Sequence, residues 1–369
     1  MKINFVGNIL GSDGYSNHCR GLFNALFQLN PDIKLDVPLA HGWETQVNDA
    51  ELAALTKDNR IADITIAIMT PPFWRIAMGD NTKKFIGFCV WEGDKIPQYW
   101  LEYLYDPQVD QIWVPSQHTK DAIMNTISSK GDVVSEEFEK KIKIVPHGID
   151  PSKFFDKPVE RKSEDFTFLI NKGWRGTTWD RGGVQYALRA FCEEFGKDEK
   201  VSLLLKLNPA YINPQMIGKS IDALKLPEDR PEIKLNYGNL TQVQLNDLYN
   251  ESDCFVCPTR AEAFDLGSAE AMATGLPVIT TNYGGQIEHM DKDCAWFCDY
   301  DMSVVTEDLQ YEGVKWAIPN VQKLRELMRE AFSQGVSTRE KGKNAKKFIS
   351  SWTWMHSAQM AVKFLEELK

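Results

Sequence analysis

Two glutamates eight positions apart, Glu262 and Glu270, carry the clearest chemical signal in the chain. They lie in Pro-Thr-Arg-Ala-Glu-Ala-Phe-Asp-Leu-Gly-Ser-Ala-Glu-Ala-Met-Ala-Thr-Gly, residues 258–275. A short apolar run, Cys254 to Cys257, ends at Pro258, and a helix is expected to begin near Gly267. The carboxylates therefore flank a helix start. The first amides of a helix have no partner inside it, so those of Phe264, Asp265, Leu266 and Gly267 are available to an anion, assisted by the helix dipole. Carboxylates belong beside an anion site when they accept hydrogen bonds from sugar hydroxyls. A phosphate also calls for cations. Arg175 and Arg181 stand six apart in the loop 174–183, with Lys172 just before it, and Lys206 closes another apolar run. An arginine fork grips phosphate through two bonds. A further carboxylate, Glu92, follows the apolar run 85–90, at a strand end.

Short apolar runs alternate with segments of helical period, the pattern of an α/β protein with parallel sheets. Strands are expected at 3–7, 63–68, 85–90, 110–114 and 142–146, and again at 166–171, 202–207, 232–237, 253–257 and 277–281. Helices are expected at 15–29, 118–129, 182–195, 241–250, 267–274 and 320–333. Thr241 and Gln244 have capping-box spacing, and Val243, Leu245, Leu248 and Tyr249 give that helix one apolar face. The charged stretch 150–164, with Pro151 and Pro158, separates two strand–helix series of similar size. Two Rossmann-like domains joined there would leave a cleft at their strand ends, where open α/β sheets bind ligands.

The segment around Glu262 and Glu270 resembles the E-x7-E signature of the retaining glycosyltransferases of family 4 (group 1), continuing through Glu-Ala-Met-Ala-x-Gly-x-Pro-Val-Ile. Val145-Pro146-His147-Gly148-Ile149-Asp150, Asn239 to Tyr249, and Tyr283-Gly284-Gly285 with Glu288 resemble other elements of that family, in the same order. Val90-Trp91-Glu92 with Pro97 and Trp100, and Trp113-Val114-Pro115-Ser116, resemble one branch of it. The resemblance implies the GT-B fold. Its acceptor-side domain would take residues 1–155, with a C-terminal helix at about 353–369 crossing back. Its donor domain would take 156–352.

The family implies a hexosyltransferase that moves a sugar from a nucleoside diphosphate, of UDP or GDP type, to a carbohydrate, glycan or glycolipid hydroxyl. Anomeric configuration would be retained, with no metal or other cofactor. It places Glu262 on the donor sugar and Glu270 on the ribose. Arg175, Arg181 and Lys206 would hold the diphosphate, with Lys172 competing with Arg175 for the first place, the loop carrying Gly14 would approach it, and Glu92 could meet an acceptor hydroxyl or the reacting sugar. Many members have a histidine where this chain has Glu92. An epimerase on the same fold and a non-catalytic sugar-nucleotide binder are the competing readings.

The formal net charge of −10 makes general nucleic-acid binding a poor fit. Seven cysteines, an odd number, form no disulfide framework. The first residues read as a strand rather than a leader, and no apolar run reaches membrane-span length, so the cytoplasm is the expected compartment. Membrane contact has no basic amphipathic helix to support it. Asp299-Tyr-Asp301 and the Cys254/Cys257 spacing imitate metal motifs, but Cys254 and Cys257 fall on opposite faces of one strand.

Overall fold

A computed structural model describes residues 1–11, 13–38, 47–56, 61–79, 82–160, 164–177, 180–306 and 308–369. The expected linker and the loops at 7–17 and 174–183 run partly outside the described residues. The chain separates into two compact units. Unit 1 comprises Met1–Asp150, Gln310–Val314 and Trp352–Lys369, and unit 2 comprises Pro151–Leu309 and Lys315–Ser351. The short piece Gln310–Val314 carries no sequence signal for its place in unit 1.

Unit 1 is built on β1 (Ile3–Gly7), β2 (Ile33–Asp36), β3 (Ala62–Ile68), β4 (Thr82–Phe88), β5 (Val109–Val114) and β6 (Ile142–Ile144). They form one parallel sheet in the order β2-β1-β3-β4-β5-β6. The helices are α1 (Gly14–Leu29), α2 (Asp49–Leu55), α3 (Trp74–Ala77), α4 (Leu101–Leu104), α5 (Gln117–Ser128) and α6 (Glu136–Lys141). Ile3, Phe5, Ile64, Ile66 and Ile68 alternate onto the sheet face that meets Leu22, Phe23 and Leu26 of α1.

Unit 2 repeats the plan. Its strands are β7 (Phe166–Asn171), β8 (Val201–Leu207), β9 (Ile233–Tyr237), β10 (Cys254–Cys257), β11 (Val278–Thr281) and β12 (Ala295–Cys298), in the parallel order β12-β11-β10-β7-β8-β9. Its first helices are α7 (Val184–Glu194), α8 (Pro214–Ala223), α9 (Gln242–Asn250) and α10 (Leu266–Ala273). A separate antiparallel ribbon pairs β13 (Tyr300–Val304) with β14 (Lys315–Pro319), followed by α11 (Val321–Ser333) and α12 (Gly335–Ile349). The last helix, α13 (Trp354–Glu366), adds Ala358, Ala361 and Leu365 to the core of unit 1.

The Thr241/Gln244 capping box forms, and α10 ends before Gly275, whose φ of +81° suits the left-handed turn after a helix. Val243 departs from the sequence reading. It is exposed, so the buried face of α9 rests on Leu248 and Tyr249. Tight packing at one glycine holds the donor loop against the strand end. Gly183 has φ +70°, and a Cβ there would stand 1.8 Å from the carbonyl oxygen of Pro258. Backbone on both sides leaves nothing to yield. Gly183→Ala is expected to destabilise the chain by about 3 kcal/mol or more, read as a lowered midpoint in urea.

Candidate donor site in unit 2 and carboxylate loop in unit 1

In unit 2 the strand order reverses between β7 and β10, so their carboxyl ends lie side by side. Chains leaving such a point diverge to opposite faces and open a crevice. From β7 the chain passes to Lys172; from β10 it passes through Pro258 to Glu262.

These two ends meet. Lys172 Nζ donates to the Asp265 carboxylate and lies 3.3 Å from Glu262 Oε1. Arg181 Nη1 donates to Glu262 Oε2 at 3.2 Å and to the Ala261 carbonyl at 2.8 Å. The Thr259 hydroxyl donates to Glu262 Oε1 at 3.2 Å. Three donors therefore fix the orientation of Glu262. Burial works against the Lys172 ammonium, but Asp265, Cys257 and Glu262 outweigh it and hold its pKa above the ordinary lysine value. Burial likewise works against the Asp265 carboxylate, but Lys172 and the bonds from Cys257 and Ser268 together outweigh it, so that carboxyl sits below its usual range.

Asp265 differs from the sequence reading, which had only its amide in use. It caps α10 with φ +71°, a left-handed conformation that costs an ordinary residue about 1 kcal/mol or more. Its carboxylate turns inward and accepts from Lys172, Ser268 and Cys257, the thiol lying 2.9 Å away. The bonds offset the strain. Leu266 and Gly267 open α10, and their amides have no partner inside the helix. Phe264 stacks on His289, ring centroids 4.4 Å apart.

Glu270 sits one turn into α10. The Tyr249 hydroxyl donates to its Oε2 at 3.1 Å, and Asn171 Nδ2 donates to the same hydroxyl oxygen at 3.1 Å. Burial pushes the Glu270 carboxyl up to about 8. Lys206 stands in register with Asn171 on the neighbouring strand. It is 6% exposed, and it has no hydrogen-bond or ion-pair partner among the described residues. Burial lowers its pKa. The two cations Lys172 and Arg181 are matched by the two carboxylates Glu262 and Asp265. Lys206 is the cation left over.

The structure does not bring Arg175 into this cluster. Its side chain is 70% exposed and pairs with Asp308 at 3.8 Å, whereas Lys172 is buried against Glu262 and Asp265. The contacts of Tyr249 and Asn171 were not foreseen, since the sequence reading placed Tyr249 on an apolar helix face and singled out no role for Asn171.

In unit 1 the Trp91-Glu92 loop leaves the sheet after β4. Tyr311 stacks on Trp91, centroids 4.8 Å apart and planes 24° apart, and its hydroxyl donates to Glu92 Oε1 at 2.5 Å. His118 Nε2 lies 2.8 Å from the Glu92 carbonyl oxygen. Gly14 opens α1, and nothing lies within 4 Å of where a Cβ would stand. All seven cysteines are buried and free. Among the described residues no helix is long and apolar enough to cross a membrane.

Residues 181–309 match the family described as glycosyl transferases group 1. A protein of Sulfolobus islandicus filamentous virus, provisionally named glycosyltransferase 45, is 25% identical over 205 residues. That alignment takes in 56% of this chain and 50% of the viral protein, so the chain spans half the length of that relative. Two solved structures align along the whole chain. A glycosyltransferase from Rickettsia africae ESF-5 is 15% identical with a TM-score of 0.68, covering 100% of this chain and 98% of that one. Anabaena Alr3699/HepE, solved in complex with UDP-glucose, is 14% identical with a TM-score of 0.70, covering 100% of both. At such identities the likeness bears on the fold, which is GT-B.

Proposed function

For a GT-B chain whose second unit carries a group 1 glycosyltransferase domain, we propose that the molecule transfers a sugar from a nucleoside diphosphate to an acceptor hydroxyl with retention of configuration. The observation that carries this reading is Lys206, a buried cation beside the carboxyl end of β7 that is unmatched among the described residues. A buried charge without a partner is unfavourable, so the site is built for an anion it binds transiently. The free amides that open α10 serve the same anion. Glu262, already clamped, is oriented for sugar hydroxyls, and Glu270 for the ribose. The UDP-glucose held by the Anabaena protein supports a uridine nucleotide.

The chemistry follows from these groups. The bond between the anomeric carbon and the phosphate oxygen lengthens, and negative charge builds on the diphosphate. Lys206, Arg181 and the helix amides stabilise that charge where it develops. The acceptor hydroxyl attacks from the face the phosphate is leaving, and its proton passes to the departing phosphate oxygen. Glu92, held by Tyr311, is assigned to the acceptor or the reacting sugar. The acceptor is a carbohydrate, glycan or glycolipid hydroxyl, and side chains rather than a metal balance the leaving charge.

A thermal-shift panel of UDP, GDP, ADP, dTDP and CMP, with magnesium and with EDTA, tests the reading. A ligand at 100 times its dissociation constant stabilises by about 2.7 kcal/mol. UDP is expected to raise the melting temperature equally in magnesium and in EDTA. A chain that responds to none of the five overturns the donor assignment, and one that responds only with magnesium overturns the metal-free one.

A further inference from the structure

Glu270 is a half-buried carboxyl group with one oxygen tied down and the other open. Oε2 accepts the Tyr249 hydroxyl, and Oε1 has no partner among the described residues. Tyr249 is itself immobile. It is fully buried, packed at 6.1 Å against Phe154 and 5.9 Å against Phe255, and its hydroxyl oxygen accepts a bond from Asn171 at the last position of β7. A rigid strand end thus fixes an amide, the amide fixes a phenol, and the phenol fixes one carboxyl oxygen.

We propose that Tyr249 and Asn171 are positioning residues for nucleotide binding, holding Glu270 so that Oε1 meets the ribose hydroxyls. The proposal rests on the reading of Glu270 as the ribose ligand. The hydroxyl direction is set by chemistry: Asn171 supplies an N–H to the phenol oxygen, which leaves the phenol proton only Glu270 to bond. Without that bond the glutamate side chain regains rotamers that the ribose must then select among.

The charges around Glu270 come from three elements. Tyr249 of α9 donates to it, Asp265 at the head of α10 repels its ionised form, and Lys172 after β7 favours it. Burial outweighs the favourable contacts and pushes the carboxyl up to about 8. Donor binding that uses the ionised carboxylate therefore strengthens as the pH rises through about 8. Removing the Tyr249 hydroxyl withdraws a bond to the charged form, which moves that midpoint higher.

The test is UDP-glucose binding by calorimetry from pH 6.5 to 9.0, chosen because its diphosphate does not titrate there. Tyr249→Phe is expected to weaken binding about tenfold at pH 7.5 and to shift the midpoint upward. Asn171→Ala is expected to shift both in the same direction by less, which guards against a fold defect confined to one variant. Glu270→Gln is expected to weaken binding and to remove the pH dependence. If Glu270→Gln weakens binding while Tyr249→Phe leaves affinity and midpoint unchanged, the relay is wrong and the ribose assignment stands. Weaker binding in Tyr249→Phe with an unmoved midpoint also overturns it, marking Tyr249 as packing. If Glu270→Gln binds as the wild type does, the ribose assignment itself fails.

Discussion

Glu262→Gln should bind UDP-glucose within about threefold of the wild type while turnover falls by about 10²–10³. The asymmetry follows from where the interactions are made. The nucleotide is held by other groups, and the amide oxygen can take the place of Oε1 and accept from Thr259 and Lys172 while Arg181 keeps its bond to the Ala261 carbonyl, so the ground state changes little. The full carboxylate matters when positive charge develops on the sugar ring, where losing one preorganised group costs about 2.7–4 kcal/mol. The substitution also leaves the ion pair of Lys172 with Asp265 in place, so the fold survives. Calorimetry and UDP release, measured on the same preparation, separate the two effects. Equal losses in binding and turnover would mean that Glu262 holds the nucleotide; no loss in turnover would remove it from the chemical step, and binding without turnover in the unsubstituted chain would favour one that only binds sugar nucleotides.

Glu262 was legible in the sequence because its signal is local. A buried strand, a proline, a short loop and a helix start fix its place within a few residues. The same holds for Lys206, which closes a strand whose apolar run is plain. Most strand ends fell within two residues of the expected ones, since parallel strands buried on both faces read as continuous apolar runs. What escaped the sequence was non-local. β2 and β12, four-residue strands of which β2 ends one sheet and β12 the other, were not expected. Lys172 meets Glu262 across ninety residues, and Tyr311 meets Glu92 across 219. Neither pairing follows from spacing along one element. The exposure of Arg175 belongs to the same class, because a loop's composition does not say which of its cations turns inward.

Lys206→Met is expected to stabilise the chain and disable it together. Methionine keeps most of the length of the side chain and removes the ammonium. In the folded chain Lys206 holds its proton less tightly than an unfolded lysine does, because burial lowers its pKa. The penalty is therefore fully present wherever the group is charged in the folded as well as the unfolded chain. It fades as the pH climbs from the folded value toward the ordinary value of about 10.4. At pH 7 the variant should melt about 2–4 °C higher, and the gain should vanish near pH 11. UDP affinity should fall about 30- to 100-fold, the loss of a charge-assisted contact with the diphosphate. The loss should shrink in 1 M salt, where the wild-type attraction is itself screened. Higher stability with unchanged UDP affinity would place the anion elsewhere. Lower stability would mean that the ammonium has a partner in solution, and the case for Lys206 as the unmatched charge would fail with it. A gain in stability joined to a loss in binding is the pattern of a residue kept for its ligand, since none of the described residues pairs with it.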